Sequence, residues 1–240
     1  MQNLRLENLL LIDIETVPQY PDYVSLPARW RDLWTDKVGK LLPDKCDAGE
    51  YYTTRAGVMA EFSKIVCISM GCFHVEKNQV QLHIRSFYQD DEQLLLLDFL
   101  SSVKMIASNN NRWSFTGHNI REFDIPFICR RLLANSIPIP SFLDFQNMKP
   151  WETNLVDTFQ YWRFGDYKNF TSLNLLAAVL NVPSPKDDIN GSMVADVYYK
   201  EKNIVRIVTY CQKDIVTVAN IILRFRNAAL LEDAAVLFEE

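Results

Sequence analysis

One stretch decides the fold: Leu9-Leu10-Leu11-Ile12-Asp13-Ile14-Glu15-Thr16. Four large aliphatic residues in succession predict a strand that is buried on both faces, at the centre of a sheet. Because side chains alternate along a strand, Asp13 and Glu15 point to the same face, with Cα atoms about 6.6 Å apart. Two carboxylates at the end of a buried strand repel each other and resist ionisation, which favours a hard cation such as Mg²⁺ or Mn²⁺. The alternative is a strand end that surfaces at Asp13, with both acids solvated.

Length and composition indicate a single folded domain over residues 1–240. The chain is 48% hydrophobic and 12% aromatic, which suits a substantial core. The apolar runs are shorter than the ~20 residues of a membrane span, and the polar start is unlike a signal peptide. Five cysteines without CxxC spacing predict reduced core thiols in a cytoplasmic protein rather than a zinc site. The net charge of −5 argues against a broad basic surface for nucleic acid, although two bound divalent cations would bring it close to neutral.

The chain reads as a mixed α/β protein in which helices become more frequent towards the end. The first strand is predicted to end at Thr16-Val17-Pro18. A helical insertion over residues 20–61 follows it. One helix of the insertion has Pro27 in its first turn, and a second, weaker helix is predicted over residues 47–62. This insertion is a lid, a partner surface or a packing element. Further strands are predicted at residues 65–70, 80–87, 113–118 and 154–158, the first two as an antiparallel hairpin. Further helices are predicted around residues 94–100, 124–134, 172–180, 192–200, 203–226 and 228–240, and a loop at residues 109–111.

Polar residues at the start of several predicted helices indicate how those helices begin. A side-chain oxygen at the N-cap accepts a hydrogen bond from the first free backbone N–H groups. The expected caps are Asp90 or Asp91, Thr171 or Ser172, Ser192, and Asn203.

A second acidic segment runs from Gly117 to Asp124, between a short strand and a helix. Asp124 lies near the helix N-terminus, where the dipole stabilises an anion by about 0.3–1 kcal/mol, so a structural cap is an alternative to a ligand. Asn119 can both donate and accept hydrogen bonds beside a polar ligand.

A third segment lies inside the last long helix, where Tyr210 and Asp214 are four residues apart and share a face. Their neighbours along the helix are apolar, so Asp214 needs a cation or a donor unless it is exposed. The alternative is an exposed Asp214 and an ordinary core position for Tyr210.

The three segments occur in the order Asp13-Ile14-Glu15-Thr16, then Asn119-Ile120-Arg121-Glu122-Phe123-Asp124, then Tyr210 to Asp214. Together they resemble the tyrosine-bearing branch of the DEDD (DnaQ-like) 3′→5′ exonuclease superfamily. Within it, the sequence is most similar to the proofreading domains of family B DNA polymerases and to stand-alone predicted polymerase-B-like exonucleases. The resemblance covers roughly residues 8–227.

The resemblance implies a ribonuclease-H-like fold, a mixed five-stranded sheet flanked by helices. It implies that Asp13, Glu15, Asp124 and Asp214 bind two divalent cations, Mg²⁺ or Mn²⁺, and that Tyr210 orients the attacking water. The implied reaction is release of nucleoside monophosphates from the 3′ end of single-stranded nucleic acid, with DNA as the expected strand and repair or proofreading as the expected context.

The resemblance also suggests which residues contact the strand. Glu15 is expected to touch the terminal 3′ hydroxyl. Candidate contacts for the last nucleotide are Ile14, Thr16, Asn119 and Phe123, although Phe123 suits core packing equally well. His118 is interpreted as structural. Asp157, at a strand end, is a support for the site or a helix cap and is not counted as a ligand.

One further stretch, residues 159–170, interleaves aromatic side chains with Arg163 and Lys168. This pattern suits single-stranded nucleic acid, and it is equally typical of a loop with half-buried aromatics. Three other functions remain open: an RNA-directed exonuclease, an endonuclease acting on RNA–DNA hybrids, and a non-catalytic module that binds nucleic acid or protein. No membrane association is expected, and protein partners are not predicted.

Overall fold

The computed structural model describes residues 1, 4–43, 46–77, 79–109, 112–146, 148–149, 152–183 and 189–239. Its strands are β1 Leu9–Pro18, β2 Ser63–Glu76, β3 Gln79–Phe87, β4 Ser114–Gly117, β5 Leu155–Asp157 and β6 Val236–Glu239. Its α-helices are α1 Ala28–Val38, α2 Ala48–Arg55, α3 Glu92–Asn109, α4 Asp124–Ala134, α5 Thr158–Arg163, α6 Leu173–Val179, α7 Val194–Asp196 and α8 Ile204–Phe225. None of the helices in the described ranges combines the length and apolar character that a bilayer crossing requires.

The strands form one mixed sheet in the order β5-β4-β1-β2-β3-β6. β1 pairs antiparallel with β2 and parallel with β4, and the predicted β2–β3 hairpin is antiparallel. β1 therefore has neighbours on both sides, as its apolar sequence requires. The α/β class and the mixed sheet are confirmed.

The two faces of β1 contribute to separate apolar clusters. Leu10 and Ile12 pack into the cluster formed with α3 and α4, whereas Leu9 and Leu11 pack against α8. α8 lies close to the sheet because Gly71 has no side chain, and an added Cβ would sit 2.7 Å from the Ile215 Cγ2 atom. By the same alternation, the acids at positions 13 and 15 fall on the α8 side.

β1 continues through the whole of the predicted end Thr16-Val17-Pro18, with Pro18 as its last residue. Proline is tolerated as the final strand residue because no further ladder donor is needed there. The register with β2 shifts between Glu15 and Thr16, so the strand has an irregularity directly after the second acid.

The insertion over residues 20–61 forms its own apolar cluster. Trp34 and Tyr52 are fully buried in it, with ring centroids 5.1 Å apart, and Phe62 packs 5.0 Å from Trp34. The second helix is shorter than the predicted 47–62 segment, because α2 ends at Arg55 and a 3₁₀ turn covers Ala56–Val58. The insertion is therefore a packed subdomain in the fold.

The prediction of a helical tail over residues 228–240 is wrong. A 3₁₀ turn at Asp233–Ala235 leads into β6, which pairs in parallel with β3 and makes the sheet six-stranded rather than five-stranded. The open edge of β3 presents unpaired backbone groups that β6 satisfies, and His83 Nδ1 lies 2.8 Å from Glu239 Oε1 across this pair.

The predicted helix starts are mostly confirmed. Asp91, Ser172 and Asn203 each accept backbone N–H groups at the start of their helices. Ser192 does not cap a helix, because its hydroxyl donates to the Asn190 side chain, and α7 is only one turn long before the π-helical turn Val197–Glu201. In the predicted 109–111 loop, residue 109 belongs to α3 and residues 110–111 lie outside the described residues.

Candidate active site

Three separate elements bring the predicted acids together. Asp13 and Glu15 lie in the middle of β1 rather than at its end, Asp124 is the first residue of α4, and Tyr210 and Asp214 lie in the middle of α8. The Ile14 N–H donates to Asp124 Oδ1 at 3.2 Å, so the second segment is bonded directly to the backbone between the two acids of the first. The sequence order of these segments is thus converted into one site.

α8 also contributes Cys211, for which the sequence predicts only an ordinary core thiol. The Cys211 thiol donates to Asp13 Oδ2 at 3.2 Å and lies 3.4 Å from the Asp13 carbonyl oxygen. Among the residues the structure describes, one group of potential metal ligands has its donor atoms within 4.8 Å of one another: Asp13, Glu15 and Cys211. The sequence signal for this contact is the position of Cys211 three residues before Asp214, on the same helix face.

Burial raises the pKa values of all four carboxyl groups, and for Asp13, Glu15 and Asp124 repulsion by neighbouring acids adds to the rise. For Asp13 and Glu15 the rise in pKa is large, and burial is its main cause. The next cause is repulsion by a neighbouring acid: Asp214 acts on Asp13, and Asp13 acts on Glu15. Burial raises the pKa of Asp124 to about 7 and that of Asp214 to about 6. Four acids with these shifts form a site that is unfavourable when ionised and unneutralised.

This donor set fits a divalent cation. Carboxylate oxygens are the ligands that Mg²⁺ and Mn²⁺ prefer, and bound positive charge would offset the repulsion that raises the pKa values. The thiol of Cys211 departs from an all-oxygen site, since sulfur favours softer metals such as Zn²⁺.

Tyr210 stays protonated in this environment. Burial, followed by the nearby carboxyl of Asp214, raises its pKa far above the usual phenol range. Its hydroxyl hydrogen-bonds to Asp214, and this bond lowers the pKa of that acid against the effect of burial. The side chain can therefore donate a hydrogen bond, and it is not a base near neutral pH.

The turn before α4 is held by Asp157, at the end of β5. One of its carboxylate oxygens accepts the Asn119 N–H at 2.9 Å and the other accepts the Arg121 N–H at 3.1 Å. Asp157 also caps α5. It is therefore a cap and a support for the turn, in agreement with its exclusion from the ligands.

Asn119 adopts a left-handed conformation, φ 63°, within this turn. Its Oδ1 atom is buried and has no hydrogen-bond partner among the described residues. A buried acceptor without a donor is costly, so a polar group from outside the chain is expected to satisfy it.

The remaining predicted contacts differ in accessibility. The Ile14 side chain is 5% exposed and packs in the core, and its N–H is used by Asp124, so a contact from this residue can involve only its backbone carbonyl. The Thr16 hydroxyl donates to the Gly57 carbonyl at 2.7 Å, which leaves its oxygen free to accept. Phe123 is half-buried against Phe127, with ring centroids 5.3 Å apart.

His118 lies outside the acidic cluster and holds two segments together. Its Nε2 atom is 2.9 Å from the Thr171 carbonyl oxygen and its Nδ1 atom is 3.0 Å from the Thr158 hydroxyl. Burial lowers its pKa. These contacts are those of a structural histidine.

The sequence matches a family model described as "Predicted 3'-5' exonuclease related to the exonuclease domain of PolB" over residues 58–234. The matched range contains the second and third acidic segments and begins after the first. In the structure the first segment is bonded to the other two, through the Ile14 N–H to Asp124 and the Cys211 thiol to Asp13. No curated protein is similar enough to count as a match.

Among solved structures, the chain is similar to the family B DNA polymerase from the hyperthermophilic archaeon Pyrobaculum calidifontis. The TM-score is 0.52 at 15% identity, over 88% of this chain and 23% of the polymerase chain. At this identity the likeness concerns the fold, and it supports the predicted ribonuclease-H-like class. By the family match, this chain belongs to the predicted 3′→5′ exonucleases related to the exonuclease domain of PolB.

Proposed function

We propose that residues 1–240 form one exonuclease domain that uses two divalent cations to release nucleoside monophosphates from the 3′ end of single-stranded DNA. The observation that carries this is the grouping of four carboxyl groups from β1, α4 and α8, all with pKa values raised by burial. Asp13 and Glu15 have ligand oxygens within 4.8 Å of each other, and Asp124 accepts the Ile14 N–H between them. Such a site favours bound positive charge over isolated ionised acids. The five free cysteines support a reducing, cytoplasmic compartment.

Asp13, Glu15, Asp124 and Asp214 would hold the cations. When bound, two Mg²⁺ or Mn²⁺ ions supply a lowered pKa for the attacking water and charge stabilisation for the leaving 3′ oxygen. Cys211 donates to the Asp13 carboxylate and so fixes the orientation of that ligand. The Ile14 N–H does the same for Asp124.

Tyr210 is proposed to position the water. Its neutral hydroxyl donates to Asp214, so its oxygen can accept a hydrogen bond from the attacking water and hold that water in line with the scissile phosphorus. Replacement of Tyr210 by Phe keeps the ring and removes this hydrogen bond. We expect kcat to fall by about 10²-fold with KM changed less than about threefold, as for loss of one positioned hydrogen-bonding group.

The 3′-terminal nucleotide is proposed to lie between the first and second segments. Glu15 would accept a hydrogen bond from the 3′ hydroxyl, which would make a free end a requirement. The unpaired Oδ1 atom of Asn119 supplies an acceptor on the other side, and the half-buried ring of Phe123 can pack against the terminal base.

The activity is tested with a 5′-labelled single-stranded DNA and its RNA counterpart, each with Mg²⁺ or Mn²⁺. We expect a ladder that shortens from the 3′ end with wild type and is lost with Asp13→Ala and Asp214→Asn. Asp36→Asn, which changes an exposed acid on α1, is the matched control and should retain activity. The preferred strand decides between DNA and RNA.

Other outcomes of the same assay would contradict the proposal. Cleavage of a circular strand, added to the assay as a further substrate, would indicate an endonuclease. Binding of either strand without cleavage by a folded, metal-loaded protein would indicate a non-catalytic binding module.

A further inference from the structure

The last turn of α5 and the segment after it expose an aromatic ring at every third position. The exposed fractions are 36% for Tyr161, 85% for Phe164, 75% for Tyr167 and 66% for Phe170. A single exposed ring is ordinary, but a series of them within ten residues is a patch that suggests a ligand. We call residues 161–170 the aromatic loop.

The aromatic loop is held in place by Arg163. Its guanidinium is 2.9 Å from Glu122 Oε1, and its side chain is only 9% exposed. The same group lies 4.5 Å from the centroid of the Tyr167 ring and 4.8 Å from that of Phe159. A loop that is ordered before binding loses less conformational entropy when it binds.

Internal bonds fix the tip of the loop. Asp166 accepts the Lys168 N–H and the Asn169 side-chain amide, each at 2.9 Å. Phe164 and Gly165 both have positive φ, 47° and 88°, which turns the chain sharply at the end of α5. The exposed rings are therefore carried by a defined turn.

The loop adjoins the second acidic segment. Glu122, which binds Arg163, lies two residues before Asp124. At the other end of the loop, the Thr171 carbonyl is held by His118, the residue before Asn119. Both ends are thus bonded to the turn that carries the proposed ligand and the unpaired acceptor.

We propose that Phe164, Tyr167 and Phe170 form a stacking platform for the upstream nucleotides of a single strand whose 3′ end lies in the acidic site. This inference rests on the proposed function. Every base has a face that can stack on an aromatic ring, so such a platform binds single strands without sequence preference.

The exposed Lys168 and the bonds that join the loop to the second acidic segment favour a nucleic acid as its ligand. The chain carries a net charge of −5, so it cannot rely on a broad basic surface for affinity, and stacking supplies an alternative. The rings alternate with polar residues, including the exposed Lys168, which can contact a phosphate.

The test measures binding by fluorescence anisotropy in the full chain with Asp214→Asn, which prevents cleavage. The ligands are a labelled 12-nucleotide oligothymidylate and a labelled thymidine dinucleotide. Phe164→Ala and Tyr167→Ala are then added to this background. Each should weaken binding of the 12-mer by about fivefold or more, whereas the two together should weaken binding of the dinucleotide by less than about twofold.

The matched control is Phe238→Ala in the same background. Phe238 is 60% exposed on β6, at the opposite edge of the sheet from β5, and its loss should leave both affinities unchanged. Lys168→Ala should reduce the slope of log K against log salt by about 0.7 for the 12-mer, as for loss of one phosphate contact on a single strand. A blunt duplex of the same sequence should be insensitive to the ring substitutions, because its bases are already stacked.

Two results would overturn the platform. One is unchanged 12-mer affinity after loss of both rings. The other is that the Asp214→Asn chain is a dimer, becomes monomeric when both rings are removed, and binds the 12-mer equally well in both forms. That result would assign the loop to contact with a second copy of the chain. If the wild type cleaves 3′ ends while either result holds, only this inference fails. If it binds through the rings but never cleaves, only the proposed function fails.

Discussion

Asp214→Asn should make the metal-free protein more stable, because it removes one ionised group from a crowded acidic cluster. The asparagine has the same shape and can still accept the hydrogen bond from Tyr210. Stability and activity would therefore change in opposite directions, which is the expected behaviour of a residue kept for binding rather than folding.

The magnitude follows from the pKa. Asp214 has a pKa of about 6 in the folded protein, against an ordinary aspartate value of 3.8. Since each pKa unit corresponds to about 1.36 kcal/mol, ionising this group in the folded state costs about 3 kcal/mol at pH 8. Because the side chain retains partial contact with solvent, we expect a gain of about 2 kcal/mol. For a chain of this length, that corresponds to about 4–8 °C in Tm.

The pH dependence has a defined sign. A carboxyl group with a raised pKa binds more protons in the folded state than in the unfolded state between pH 3.8 and about 6, so folding stability falls as pH rises through this range. The advantage of Asp214→Asn should thus be present at pH 8 and shrink below about 1 kcal/mol at pH 4. Saturating Mn²⁺ should reverse the order, since ligand at about 100 times its Kd adds about 2.7 kcal/mol to the wild type.

The assay is urea unfolding followed by tryptophan fluorescence, in EDTA and in Mn²⁺, at both pH values. Asp36→Asn makes the same charge change at an exposed site and should shift stability by less than about 0.5 kcal/mol. If Asp214→Asn is destabilised in EDTA at pH 8 while Asp36→Asn is unchanged, the carboxylate stabilises the fold and the reasoning is refuted.

Two further predictions concern the scaffold. Gly117→Ala should cost about 1–3 kcal/mol, because the added Cβ would lie 2.7 Å from the Ile12 carbonyl oxygen on the central strand, whereas Gly191→Ala, in open space, should be neutral by the same urea assay. Arg131→Ala should cost about 3–5 kcal/mol by leaving the buried carboxylate of Glu92 without its counter-charge, and Arg131→Met with Glu92→Gln should recover most of this. A loss under about 1 kcal/mol for Gly117→Ala would contradict the close approach of the backbone there. The same result for Arg131→Ala would contradict the buried ion pair with Glu92.

The local features of the fold can be predicted from the sequence. The predicted bounds of α4 agree with the structure, and Asn203 is correctly identified as the cap of α8, because both features depend on nearby residues. The alternation of side chains along β1 is enough to place Asp13 and Glu15 on one face. In each case the relevant periodicity or cap is contained within a short window.

Features that depend on distant pairing cannot be predicted in this way. β6 is strand only because the edge of β3 is available to it, and nothing within residues 228–240 encodes that partner. The bond from Cys211 to Asp13 joins residues 198 positions apart, so its sequence signal is limited to its place on the helix face. The unpaired Oδ1 of Asn119 is likewise a result of tertiary burial.

The central claim, that three separated segments build one divalent-metal site, is tested most directly by Mn²⁺ binding. Titration followed by electron paramagnetic resonance counts the ions bound to the wild type and to Asp124→Asn, which can still accept the Ile14 N–H. We predict two Mn²⁺ per wild-type chain, and a loss of at least one in Asp124→Asn with the fold intact. Equal binding by the two proteins, or no binding by a folded wild type, would contradict the claim.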